Sequence, residues 1–152
     1  MNPLQKRLTY AGTIPFWGLA GFIFLGVSEL PLLGSTHHAL TLYATVIAAF
    51  MMGSSWGSNL SQSSLHDDSS ERKTALVANA QAILLWLGVI ASDGGLRYLI
   101  LATLFAWVLW LDRALFVNGK ITADYWFHRK IVTAIVVVVL VVMSVYELSF
   151  TN

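Results

Sequence analysis

The chain contains no cysteine and very little charge. The missing cysteines exclude disulfides, thiol nucleophiles, iron–sulfur ligation and cysteine-based zinc sites together. Only 11% of the 152 residues are charged, where a soluble domain carries about a quarter. Such a chain cannot cover its own surface with charge. Net charge is also missing: +1 gives no field that would attract nucleic acid. Disorder is excluded by the same numbers, because it needs low hydrophobicity and high charge. What the chain has instead is apolar sequence, 57% of its residues, with a mean hydropathy of +0.68. That composition points to an integral membrane protein.

A helix needs about 20 apolar residues to cross the hydrocarbon core. Five runs approach that length, over residues 10–27, 39–56, 75–91, 96–111 and 131–148. They are apolar on all sides, whereas barrel strands alternate. The valine-rich last run is helical in lipid as well, because its backbone must satisfy itself there. The expected fold is therefore an all-α integral membrane protein, a single domain over 1–152 built as a bundle of five transmembrane helices. The connections are residues 28–38, the serine-rich and charged 57–74, the tight turn 92–95, and 112–130.

Lys and Arg placement sets the orientation. With five spans, the N-terminus, second loop and fourth loop share one side. That side holds Lys6, Arg7, Arg72, Lys73, Arg113, Lys120, Arg129 and Lys130, and the other side only Arg97. An N-inside, C-outside arrangement follows. Lys6 and Arg7 ahead of the first run resemble a signal sequence, but that run is longer than a signal core and carries Pro15, so we expect a retained span. No Arg-rich, Ser-rich transit segment is visible, which points to a bacterial inner membrane.

Several places could carry chemistry. The second span has small residues at spacing four, Thr45, Ala49, Gly53 and Gly57, a flat face for another helix. That face could pack within the bundle or against a second chain. Its end, MMGSSWGSN, crowds Ser54, Ser55, Trp56, Ser58 and Asn59 near the inner interface, and Asn79 and Gln81 of the third span lie at similar depth. These groups serve either as hydrogen-bonding glue between helices or as a small polar pocket. Pro15, with Gly12, Gly18 and Gly21, implies a kink in the first span, either tightly packed or leaving a gap for a lipid tail.

Ionisable groups are absent from the centre of every span, which argues against a proton relay or voltage sensor. Arg97 stands four residues after Asp93, where the two can pair. His37 and His38 are adjacent and form a poor chelate, and His66 with Asp67, Asp68 and Glu71 lacks a recognised ligand spacing. No metal or cofactor is expected. His128 sits among Tyr125, Trp126, Phe127, Arg129 and Lys130, an aromatic and basic cluster suited to an interface or an anionic head group. No nucleophile elbow, phosphate loop or dinucleotide fingerprint occurs, so no catalytic residue is assigned and an enzymatic reading has the least support.

Three blocks together, YAGTIPFWGLAG, YATVIAAFMMGSSWG and LDRALFVNGKITADYWFHRKIVT, resemble the domain of unknown function 3429 family. Its eukaryotic members are the transmembrane protein 69-like proteins. The resemblance covers nearly the whole chain and implies five short spans, with a D-R-x-L-x-x-x-G stretch after the fourth. Where the family often has glycine and histidine before the second-span tryptophan, this chain has Ser54 and Ser55. Where it often has proline before the loop aromatic, this chain has Ala123 and Asp124. The family implies no activity. Its matching positions are Pro15, Phe16, Gly53, Trp56, Gly57, Asp112, Arg113, Leu115, Gly119, Trp126 and Arg129. Taken with the topology, most of these fall at the inner face, with Asp112 pairing either Arg113 or Arg129.

The expected function is that of a small non-enzymatic accessory or assembly component of the membrane. Its partners would be the lipid bilayer and a membrane protein or a second copy of the chain. The alternative is binding or transport of a lipid or other hydrophobic small molecule, such as a quinone, at an inner-face pocket. The candidate residues for that pocket are Trp56, Asn59, Asn79, Asp112, Arg113, Trp126 and Arg129.

Overall fold

The structure is a computed structural model that describes residues 3–60 and 68–150. Its elements are α1 (Pro3–Ala11), α2 (Ile14–Phe24), β1 (Glu29–Leu30), β2 (Gly34–Ser35), α3 (Thr36–Leu60), α4 (Asp68–Ala91), α5 (Gly94–Val117) and α6 (Ala123–Phe150). Among the described residues the protein is all-helical apart from one two-residue antiparallel pairing, Glu29 opposite Ser35 and Leu30 opposite Gly34. The runs expected at 39–56, 75–91, 96–111 and 131–148 lie within α3, α4, α5 and α6. The run at 10–27 is divided between α1 and α2. By length and composition, α5 and α6 are long and apolar enough to cross a membrane, and Asn79–Ala91 of α4 is a shorter apolar helix.

The kink expected at Pro15 is a full break. Pro15 occupies the first turn of α2, where its missing N–H deprives no carbonyl of a helical partner. Thr13 turns the chain, its N–H and its hydroxyl both donating to the Tyr10 carbonyl at 2.9 and 2.7 Å. The Gly12 carbonyl at the break accepts a 2.8 Å hydrogen bond from the Tyr43 hydroxyl of α3. A group freed by the break is thus satisfied by a neighbouring helix, as apolar surroundings require.

Glycine ends two helices in the same way. Gly26 (φ +75°) and Gly119 (φ +70°) take the left-handed conformation just past α2 and α5. Their N–H groups bond Ile23 and Phe116, and the next residues, Val27 and Lys120, bond Phe22 and Leu115. This paired pattern satisfies the last carbonyls of a helix and turns the chain back. It is what lets α5 and α6 form a tight hairpin.

The core runs the length of that hairpin and is closed by α2, α3 and α4. Phe16, Leu40, Leu101, Phe105, Val108, Val136, Leu140 and Met143 are almost entirely buried. The Phe16 ring meets Tyr43 and Phe105 edge-on, with centroids 5.0 and 6.2 Å away. The buried face of α3 is Leu40, Thr41, Ala44, Ala48, Met51 and Met52. The small-residue stripe lies elsewhere: Thr45 is half-buried, and Ala49, Gly53 and Gly57 are exposed. Much of the outer surface is apolar too, including Phe50, Trp86, Ile90, Trp110 and Val145.

Candidate ligand site between α1, α3 and α6

Three helical faces converge on one cavity of about 530 Å³. From α6 come Tyr125, His128, Arg129, Val132, Thr133 and Val136, spaced three and four residues apart along a single face. From α3 come Ile47, Phe50, Met51 and Ser54 at the same spacing. The third wall is Gln5, Leu8, Thr9, Gly12 and Phe16, contributed by α1, the break and α2. The volume lies in the range of about 300–1,000 Å³ typical of small-molecule sites. The Gly12 break and the thin contact between α1 and α6 leave this space open.

The walls are largely apolar, and the polar groups gather at one end. The Arg129 Nε donates to Asp112 Oδ2 at 2.8 Å, with both side chains nearly buried, 11% and 2% exposed. Its Nη2 donates to the Met51 carbonyl at 3.3 Å, and its guanidinium lies 5.9 Å from the centre of the Tyr125 ring. Arg129 therefore ties α6 to α5 and α3 at once. The Tyr125 and Ser54 hydroxyls are 3.5 Å apart. Tyr10 and His128 Nδ1 share a 2.8 Å hydrogen bond, and His128 Nε2 is 3.3 Å from Asp124 Oδ1. Asp124 also accepts from the Lys6 ammonium at 2.9 Å, so α1 is held to α6 by an ion pair and a ring contact.

Of the candidates chosen from sequence, the structure joins Asp112 and Arg129. Arg113 is exposed on the other side of α5, so Arg129 is the partner of Asp112. Trp126 is half-buried and stacks on Phe116 with centroids 5.7 Å apart, outside the cavity lining. The Lys130 ammonium lies 5.4 Å from the same tryptophan ring. Asn79 is exposed on α4 and does not line the cavity, whereas Gln81 is buried. The side chains of Trp56 and Asn59 lie outside the described residues, as does His66 with its acidic neighbours. Pro15 is half-buried at the head of α2.

Sequence reasoning missed Thr133 and the α1 contribution. Thr133 is 1% exposed and lies on the cavity wall one turn beyond Arg129. The signal was the three-and-four spacing of Tyr125, His128, Arg129, Val132 and Thr133, which puts five side chains on one helical face.

The opposite end of the bundle has its own polar group. His37 Nδ1 is 2.8 Å from Glu147 Oε1 and 3.1 Å from the buried Tyr98 hydroxyl. Arg97 donates to Asp93 Oδ1 at 2.6 Å and through Nε to the Ser92 carbonyl at 2.8 Å. His38 points elsewhere and is exposed.

These features define an all-helical bundle with two helices suited to a membrane and a cavity of small-molecule size near one end. The sequence model of the family described as "Protein of unknown function (DUF3429)" matches residues 1–145, and the chain belongs to that family. No curated protein and no solved structure matches it.

Proposed function

We propose that this protein is a five-span, N-inside protein of the bacterial inner membrane that binds a lipid or other hydrophobic small molecule at its inner end. The observation that carries this reading is the cavity of about 530 Å³, apolar along its walls and polar at one end. A molecule with a long apolar body and a compact polar head matches both features. The membrane setting draws support from the apolar exterior, since large exposed apolar patches mark membrane or partner contact. Along α6 the rise from Arg129 to Glu147, between the two polar ends, is about 27 Å at about 1.5 Å per residue. That is close to the hydrocarbon core, about 30 Å thick. The inward orientation rests on eight of nine basic residues sharing one side.

The test is purification in a mild detergent, followed by mass spectrometry of everything that accompanies the protein. A lipid-like molecule held near one per chain is expected, and Val132→Phe, which fills the cavity, should release it. No retained molecule, or equal retention in both proteins, would sink the reading.

A second reading, as an accessory or assembly component, is favoured by a separate observation. Among the described residues, a Cβ added at Gly53 or Gly57 would meet nothing within 4 Å, which leaves the small-residue face of α3 available to another helix. A stoichiometric protein in the same purification would support it.

A further inference from the structure

The polar end of the cavity restricts the head group it can take. Arg129 is the one permanently charged side chain among the described lining residues, and Asp112 balances it at 2.8 Å. Lys6 and Asp124 form a second pair beside His128, at 2.9 Å. Among the described residues, two cations thus face two carboxylates. An anionic head would enter a low-dielectric space beside the Asp112 carboxylate, with the guanidinium already neutralised. A cationic head would meet Arg129 itself. The charges at this end favour an occupant that carries none.

The donors point the same way. Thr133 Oγ1 is buried on the cavity wall and has no hydrogen-bond partner among the described residues. A helical threonine normally donates back to the carbonyl four residues earlier. Thr9, Thr45 and Thr103 of this chain do so, to Gln5, Thr41 and Leu99 at 2.8, 2.8 and 2.9 Å. Thr133 departs from these three, and its buried hydroxyl has no acceptor among the described residues. A guanidinium carries five N–H donors, and Arg129 directs Nε at Asp112 and Nη2 at Met51. The unpartnered Thr133 hydroxyl therefore calls for an occupant that brings an acceptor oxygen. A smaller cavity of about 140 Å³, lined by Trp17, Gly21, Phe24 and Val142 among others, lies further along α2 and α6 and suits an apolar chain.

Resting on the lipid-binding reading above, we propose that the ligand is an uncharged amphiphile whose head presents carbonyl oxygens, one of which accepts a hydrogen bond from Thr133. A quinone and an acylglycerol share this chemistry, and a fatty acid anion does not.

The experiment is equilibrium binding to the full chain in mild detergent, using radiolabelled decylubiquinone, dioctanoylglycerol and oleate. Saturable binding of a neutral probe is expected, and which of the two binds tells quinone from acylglycerol. Oleate should not saturate. Thr133→Val should weaken the neutral probe about three- to ten-fold, the loss of one hydrogen bond. Thr103→Val, on the exposed side of α5, should leave it unchanged. In the unaltered protein, carbonyl-labelled probe should show its infrared stretch moved to lower frequency, which does not depend on any variant folding. Saturable oleate without either neutral probe overturns the head-group assignment and leaves the lipid-binding reading standing. An unmoved carbonyl stretch, or full affinity in folded Thr133→Val, overturns the role of Thr133. Saturable binding of no probe removes the lipid-binding reading itself.

Discussion

The two ends of this bundle are built from the same three helices and similar polar chemistry, yet one is closed and the other is hollow. At one end, His37 of α3, Tyr98 of α5 and Glu147 of α6 meet within 3.1 Å of the imidazole. At the other, the Met51 carbonyl of α3, Asp112 of α5 and Arg129 of α6 meet around a guanidinium. The difference lies in the backbone. Gly95 lets α5 approach α6 so closely that an added Cβ would stand 2.6 Å from the Ser144 carbonyl oxygen. Among the described residues, no glycine at the hollow end makes a comparable contact. There α1 reaches α6 through the long side chains of Lys6 and Tyr10, and the break at Gly12 holds the walls apart. Polar residues at a helix end do not make a cavity; the distance between backbones does.

The largest expected effect separates the two ion pairs. Asp112→Ala leaves a nearly buried guanidinium without its carboxylate, and should cost about 3–5 kcal/mol. Glu147→Ala removes the partner of His37, whose side chain is 39% exposed, so solvent screens the pair and the loss should be about 1 kcal/mol or less. Denaturant unfolding of each variant in detergent measures both. Asp112→Leu combined with Arg129→Met should recover most of the larger loss, because an apolar pair of similar volume needs no compensation. Equal costs at the two ends would break the comparison.

The next effect probes the closed end directly. Gly95→Ala pushes a methyl group into the Ser144 carbonyl and the Leu148 side chain, an overpacking cost of about 1–3 kcal/mol. Gly18→Ala is the control, since a Cβ there meets nothing within 4 Å among the described residues. Better helix propensity should make it neutral to about 1 kcal/mol stabilising. Thermal unfolding of the two proteins reads the difference. If Gly95→Ala matches Gly18→Ala, close backbone approach is not what shuts this end.

Much of the fold was legible in the sequence for a simple reason: apolar runs of helical length satisfy their backbone within themselves as helices. The break in the first run was legible as Pro15 and Gly12, although a proline alone does not tell a kink from two helices. The Tyr43 hydroxyl on the Gly12 carbonyl decides that, and it comes from 31 residues away. The site was only half legible. Asp112 and Arg129 could be proposed as a pair because the sequence places both at the same end of their apolar runs, but Asn79 and Trp126 share that position and face elsewhere. Depth follows from position along a run. Facing follows from which side of each helix meets its neighbours, and apolar all-round helices give almost no signal of that. Thr133 shares the helical face of Tyr125, His128 and Arg129 and was readable only through that spacing, as one hydroxyl in a run of valine and isoleucine.

The smallest expected effect tests facing itself. Asp112 and Arg113 are adjacent, so on α5 their side chains diverge by about 100°. Asp112 turns inward to Arg129 and is 1% exposed, while Arg113 turns outward. Arg113→Ala should therefore change stability by no more than about 0.5 kcal/mol, as for surface positions generally. It should also leave any bound lipid in place, and under the proposed N-inside topology seven basic residues would remain on the inner side to hold the orientation. Arg129→Ala, tested beside it, should lose both stability and ligand, because it strips Asp112 of its partner and the cavity of its guanidinium. The pair of variants differs only in which side of the bundle loses its arginine. Matching losses would mean that Asp112 divides its attraction between the two arginines, and the hollow end would no longer be organised around one.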